Sequence, residues 1–216
     1  MSTSEPAALT ELRARRLLAV IRAPSPAAAL GAAHAVAEGG IPVIEVTYSV
    51  PGAPSVIAEL AGVDGLTVGA GTVLSVDQAH DALAAGARFI VAPNFDPRIA
   101  RIALDAGVLY VPGAYTTTEI VAAHASGAQL IKVYPVGVAG GPAYIAVIRD
   151  PLPGVPMLAA GGTNLDNVVP FLDAGCVACG LGGSLADPQL ASAGRFDEIA
   201  ERARAFVARV AGHARA

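Results

Sequence analysis

The 216-residue chain contains a single lysine, Lys132, set against thirteen arginines, and it has no tryptophan. Aromatic residues make up only 5% of it, so a core must be built from many small aliphatic side chains. There are two cysteines, Cys176 and Cys179, spaced C-x-x-C. One such pair cannot form a disulfide framework, and zinc would need two further ligands. The four histidines (His34, His80, His124 and His213) are scattered over helical segments and supply no such set. No metal site and no cofactor are therefore expected, and the cysteines read as small residues packed around the last strand. Excess charge of one sign is also missing. The net charge is −4, with acids and bases interspersed, which gives no footprint for nucleic acid or an anionic membrane. Arg13, Arg15 and Arg16 do cluster, on a helical segment where they read as a solvated face. Long apolar runs are absent as well. The longest uncharged stretch, Val133 to Ile148, is shorter than a membrane span and is broken by Pro135, Gly137, Gly140, Gly141 and Pro142. Met1 to Thr10 carries an acid and a proline without an apolar run, unlike a secretory signal. A soluble, cytoplasmic protein is expected.

What the chain does contain is repetition of short β-branched runs, each followed by a helical stretch. The strands are predicted at Leu17–Arg22, Val43–Thr47, Leu66–Gly69, Phe89–Ala92, Val108–Val111, Leu130–Tyr134, Met157–Ala160 and Val177–Leu181. Helical segments between them include Pro26–Glu38, Val76–Ala85, Pro97–Ala106, Thr118–Ser126 and Asn164–Ala174. Several close on a glycine (Gly39, Gly86, Gly107, Gly127, Gly175), the residue that takes a left-handed C-terminal turn at least cost. Strict strand–helix alternation gives a parallel sheet covered by helices. Eight units in about 190 residues favour closure into a (β/α)8 TIM barrel. An open doubly wound sheet would carry a glycine-rich turn after its first strand, and Arg22-Ala23-Pro24-Ser25-Pro26 is not one. The expectation is one α/β barrel domain spanning 1–216, with 1–16 as an N-terminal helical extension. A last helix from Arg195 to Val210 should pack back through Phe196, Ile199, Ala203, Phe206 and Val210.

In such a barrel the chemistry sits at the C-terminal ends of the strands. Lys132 lies inside the apolar run Leu130-Ile131-Lys132-Val133-Tyr134. Taking an ammonium out of water favours loss of its proton, and a neutral amine is the form that attacks a carbonyl. The competing reading is a lysine near a strand end that reaches solvent. Glu45 is an acid within a strand, Val43-Ile44-Glu45-Val46-Thr47. If Ile44 and Val46 face the helices, alternation points Glu45 into the barrel mouth, where a carboxylate can move protons. Its alternative is a buried partner for an arginine. Arg22 could grip a carboxylate through two parallel hydrogen bonds, or form a surface ion pair. Gly161-Gly162 and Gly182-Gly183-Ser184 follow the last two strands, the corner where barrels commonly bind phosphate through backbone N–H groups and a helix N-terminus. Tight turns would explain them equally. Gly69-Ala70-Gly71-Thr72 permits close backbone approach and offers a hydroxyl.

Together these runs resemble one family. Ala19-Val20-Ile21-Arg22, Ile44-Glu45-Val46-Thr47, Gly69-Ala70-Gly71-Thr72-Val73, Ala92-Pro93-Asn94, Val111-Pro112-Gly113, Ile131-Lys132-Val133-Tyr134-Pro135, Gly140-Gly141-Pro142, Gly161-Gly162 and Gly182-Gly183-Ser184 are similar, in order and spacing, to the 2-keto-3-deoxy-6-phosphogluconate (KDPG) and 4-hydroxy-2-oxoglutarate (KHG) aldolases. That group also includes 2-keto-3-deoxy-6-phosphogalactonate aldolases. The resemblance runs from about Leu17 to Val210. It implies a metal-independent Schiff-base aldolase that cleaves a phosphorylated keto acid to pyruvate and an aldehyde, and a homotrimer. It implies Lys132 as the imine-forming residue, Glu45 as acid/base, and Arg22 as a contact for the substrate carboxylate. Thr72, Pro93 and Tyr134 would line the pocket, and Gly161, Gly162, Gly183 and Ser184 would hold phosphate. Two departures bear on the substrate. Ser49 stands where many members have arginine, and Ala159-Ala160 where many have Pro-Thr. A phosphosugar isomerase or synthase using Glu45 as a base, and a non-enzymatic phosphate-binding barrel, remain the rival readings.

Overall fold

The computed structural model describes residues 5–213. Nine parallel strands form one nearly closed barrel: β1 Leu17–Ile21, β2 Val43–Thr47, β3 Thr67–Gly71, β4 Phe89–Val91, β5 Leu109–Val111, β6 Gly113–Ala114, β7 Ile131–Val133, β8 Met157–Ala160 and β9 Ala178–Leu181. Hydrogen-bonded neighbours run β5-β4-β3-β2-β1-β9-β8-β7-β6. The sequence predicts eight strands, and the ninth has a simple cause. β5 is the fifth predicted strand, and β6 lies just beyond its predicted end at Val111, separated from it by Pro112. Proline has no N–H to donate, so the ladder is interrupted there. Its carbonyl is still used, accepting from Lys132 N–H at 2.9 Å. β5 pairs with β4 and β6 pairs with β7, so the bend at Pro112 brings the two ends of the sheet together.

Alternation along the strands sorts side chains into two layers. Ile44 and Val46 belong to the outer core, between sheet and helices. Val43 belongs to the lumen, together with Leu18, Phe89, Leu109, Leu130 and Leu158. The lumen is tight. A Cβ on Gly69 would fall 2.3 Å from the Phe89 ring, so a glycine on β3 makes room for an aromatic on β4.

The N-terminal helix Ala7–Arg15 buries Ala8, Leu9 and Leu12, and these join the lumen cluster. It therefore closes the N-terminal end of the barrel. The expected extension spans 1–16, of which residues 1–4 lie outside the described residues. The final helix runs Phe196–His213 and buries Ile199, Ala203, Phe206 and Val210, as its spacing predicts. It lies on the helix Pro26–Glu38, where Gly31 leaves space for the Phe196 ring. Among the described residues no helix is long and apolar enough to cross a membrane.

Two sequence expectations need correction. Gly39 is right-handed (φ −71), and the left-handed turn falls on Gly40 (φ 98). Gly86, Gly107, Gly127 and Gly175 do take positive φ. The predicted helix Asn164–Ala174 begins only at Val168. The Asn164 side chain accepts from the N–H groups of Asp166 and Asn167, which turns the chain back before a helix can start.

Candidate active site

β7 presents Ile131 and Val133 to the outer core, which turns Lys132 into the barrel mouth. Its side chain is 6% exposed, so it does not extend into solvent. β2 turns Glu45 the same way, with 0% exposure. The two meet with Nζ and Oε1 3.9 Å apart. Both carboxylate oxygens of Glu45 lack a hydrogen-bond partner. Leaving buried polar atoms unsatisfied costs of order 1–3 kcal/mol each, so this carboxylate is held at the expense of stability. Its bed is Gly71, where a Cβ would fall 2.0 Å from Oε1. The close backbone approach expected of Gly69-Ala70-Gly71 is thus realised under Glu45 itself. The Tyr134 ring sits with its centroid 5.4 Å from Nζ. Lys132 lies opposite Gly113 on β6, and a Cβ there would strike the Pro93 carbonyl at 2.1 Å. Gly113 therefore lets the chain after β4 crowd against the strand beside the amine.

Above Lys132 opens a cavity of ≈ 360 Å³ lined by Arg22, Lys132, Ala160, Gly161, Gly162, Gly183 and Ser184. Six of the residues singled out from sequence thus surround one space. Thr163 and Asn164 also line it and escaped sequence reading. The available signal was two polar residues directly after the strand-end glycines. Gly161 and Gly162 take φ 78 and 109, a conformation open to glycine. A Cβ on Gly162 would be 2.6 Å from Gly137 Cα, and one on Gly161 would be 2.9 Å from the Tyr134 ring. The glycine turn after β8 is therefore pressed directly onto the segment that follows Lys132. Ser184 Oγ donates to the Thr163 carbonyl at 2.9 Å, so its hydroxyl braces the turn and its backbone N–H is left for a ligand. Thr163 Oγ1 in turn donates to the Gly180 carbonyl. The helix that follows, Val168–Asp173, is only six residues long.

Pro93 and Tyr134 line a neighbouring cavity of ≈ 340 Å³, together with Asn94 and Tyr115. Thr72 lines neither cavity, but it follows β3 with φ 56, which is unusual for a β-branched residue. Arg22 is exposed and lies against Gly182, with Nη1 3.4 Å from the place a Cβ would take. It also borders an outer cavity of ≈ 550 Å³ with Ser49, Pro188 and Gln189. Thr47 Oγ1 bonds to the Ile21 carbonyl at 2.9 Å and to Ser49 Oγ at 2.6 Å, tying down the end of β1 that carries Arg22. Cys176 and Cys179 are both buried free thiols, and burial pushes Cys176 up to about 12. Among the described residues no three His, Cys, Asp or Glu side chains cluster as a metal site would require.

Comparison with known proteins gives a consistent result. The chain is 37% identical over 172 residues to the 2-dehydro-3-deoxy-phosphogluconate aldolase of Treponema pallidum, covering 77% of this chain and 80% of that one. It is 36% identical to a probable 2-dehydro-3-deoxy-6-phosphogalactonate aldolase of Rhizobium meliloti, covering 90% and 91%. A crystal structure of the Legionella pneumophila KDPG aldolase, with pyruvate captured as a covalent carbinolamine, superposes with TM-score 0.85 at 27% identity over 94% of this chain and 98% of that one. The model of the KDPG and KHG aldolase family matches residues 9–202. With a buried amine and carboxylate facing each other below two glycine turns, in a barrel of this topology, the chain belongs to the KDPG and KHG aldolases, a family of carbon–carbon lyases.

Proposed function

We propose that this aldolase works through a Schiff base on Lys132 and cleaves 2-keto-3-deoxy-6-phosphogluconate to pyruvate and glyceraldehyde 3-phosphate. The observation that carries the reading is the pairing of a 6%-exposed lysine with a carboxylate whose two oxygens have no other partner. A structural ion pair would be expected to satisfy those oxygens. A proton shuttle needs them free for substrate. Lys132 Nζ attacks the C2 ketone, and Glu45 delivers the proton that lets the carbinolamine lose water. The iminium then draws electrons from the C3–C4 bond while Glu45 accepts the proton of the C4 hydroxyl. The bond breaks, the phosphorylated aldehyde departs, and the enamine of pyruvate stays on Lys132. Protonation at C3 and attack of water on the iminium release pyruvate. The cationic nitrogen is the electron sink, so the route calls on no metal.

The remaining roles follow the substrate's length. The turns at Gly161-Gly162 and Gly183-Ser184 receive the phosphate through backbone N–H groups. Arg22 meets the carboxylate, the task Ser49 cannot perform. Tyr134, whose ring centroid stands 5.4 Å from Nζ, walls the reacting end, with Pro93 beside it in the neighbouring cavity and Thr72 outside both. Ala160 lacks a hydroxyl on the cavity wall, and a relative at 36% identity is named for the galactonate substrate, so the C4 epimer is the second candidate. We further propose a cytoplasmic homotrimer. The supporting feature for an oligomer is three exposed valines, Val121, Val138 and Val147, of which Val138 is 80% exposed.

The test is reduction with borohydride in the presence of pyruvate. Irreversible labelling of Lys132 supports the imine, and a folded, unlabelled protein overturns it. A rate law on KDPG, its galactonate epimer and 4-hydroxy-2-oxoglutarate then ranks the substrates by kcat/KM.

A further inference from the structure

In the turn after β8, consecutive carbonyls are each taken by a donor from outside the turn. Gly161 O accepts from Gly137 N–H at 2.7 Å. Gly162 O accepts from Asn167 Nδ2 at 2.8 Å. Thr163 O accepts from Ser184 Oγ at 2.9 Å. A trans peptide is planar, with its C=O and N–H pointing in opposite directions. Fixing the carbonyl therefore fixes the direction of the next residue's N–H. Among the described residues, neither Gly162 N–H nor Thr163 N–H donates to a protein acceptor, and both residues line the Lys132 cavity. Two of the three donors are backbone or already part of the cavity wall. Asn167 is neither, because it does not line the cavity. Its carboxamide is used at both ends, since Oδ1 also accepts Asn164 N–H at 2.8 Å.

We propose that Asn167 is a positioning residue for phosphate: by holding the Gly162 carbonyl from behind, it turns the Gly162–Thr163 peptide so that Thr163 N–H points into the cavity as an anion donor. Asn167 touches no substrate and acts only through that peptide. The inference deepens the aldolase reading and rests on its assignment of the glycine turns to the phosphate end. Without the Nδ2 donor the peptide is free to rotate, and the carbonyl, a repulsive dipole end, can face the anion. One oriented N–H to a charged group is then lost, which corresponds to roughly a tenfold change in affinity.

The experiment measures inorganic phosphate binding calorimetrically in the full-length protein and in Asn167→Ala, beside kcat/KM for KDPG and for unphosphorylated 4-hydroxy-2-oxoglutarate. Phosphate affinity should weaken about tenfold in the variant, and the KDPG-to-hydroxyoxoglutarate ratio of kcat/KM should fall by a similar factor. Asn167→Asp retains the acceptor for Asn164 N–H, and so the turn, while losing the donor. It should show the same loss at 0.5 M salt, where charge repulsion is screened. It also decides the matter should the alanine variant melt early. Unchanged phosphate affinity in both variants, equal losses on both substrates, or a parent protein that binds no phosphate would overturn the proposal. Weakened phosphate binding in a protein that fails to trap pyruvate would leave this inference standing and remove the aldolase reading.

Discussion

The two ends of the barrel lumen are built from the same alternating strands and could hardly differ more. At the N-terminal end the helix Ala7–Arg15 inserts Leu9 and Leu12 among the apolar side chains of Leu18, Phe89 and Leu158. At the C-terminal end the lumen holds Glu45 without hydrogen bonds, Lys132 at 3.9 Å, and glycine turns pressed backbone to backbone. The base is the part of the core that stabilises. The mouth is a part that the base must carry, because unsatisfied oxygens and left-handed turns both oppose folding. That division is what lets one fold keep its frame while its strand ends hold reactive groups.

The comparison can be broken most sharply at Glu45. Replacing it by leucine should lower kcat by about 10²–10⁴-fold, the usual share of general acid–base catalysis. Steady-state kinetics check this, and a variant that keeps full activity would erase the distinction. The mirror experiment is Leu12→Ala at the base. It should cost about 2–5 kcal/mol in urea unfolding and leave kcat/KM at 25 °C within about twofold of the parent. Gly162→Ala adds a Cβ to a residue at φ 109 and 2.6 Å from Gly137 Cα. It should cost about 1–3 kcal/mol of strain and raise KM for a phosphorylated substrate more than it lowers kcat.

A smaller effect concerns buried groups outside the Lys132–Glu45 pair. Burial pushes Cys176, Tyr48 and Tyr110 each up to about 12, with Asp81 adding to the shift at Tyr48. Folded pKa values above the unfolded ones mean that this stability is complete below pH 8 and is lost as pH rises toward 12. The melting temperature should therefore decline between pH 9 and 11, and native Cys176 should resist iodoacetamide at pH 8 until urea is added. The smallest effect is at the capping box of the helix Thr117–Ala125. Backbone N–H groups of Thr116 and Tyr115 hold Glu119 below the usual carboxylate range. Thr116→Ala should cost about 1 kcal/mol, and Glu119's contribution should fade as pH drops below the ordinary carboxylate range.

Much of this was legible before any coordinates. Strands β2 and β8 fall where β-branched and small apolar runs place them, and the face of Glu45 follows from Ile44 and Val46. The Lys132 reading was open only between solvent and lumen, and the lone lysine among thirteen arginines weighed toward the lumen. Other features were hidden, some because side chains compete locally with the backbone and some because they depend on contacts between distant segments. The late start of the helix at Val168 reflects side-chain bonds of Asn164 that compete with helix, which local propensity does not rank. The extra strand beyond Pro112 makes sense only once β4 and β7 lie on either side of the bend.

The order of residues alone determined the alternation of strand and helix, the placing of Glu45 on the face opposite Ile44 and Val46, and most of the glycine turns, because these follow from local periodicity and steric limits. Tertiary structure decided that Lys132 turns inward, that the amine and the acid meet, and that Gly71 and Gly113 make the space for that meeting. Those facts depend on distances between segments far apart in the chain, and only closure of the barrel fixes such distances.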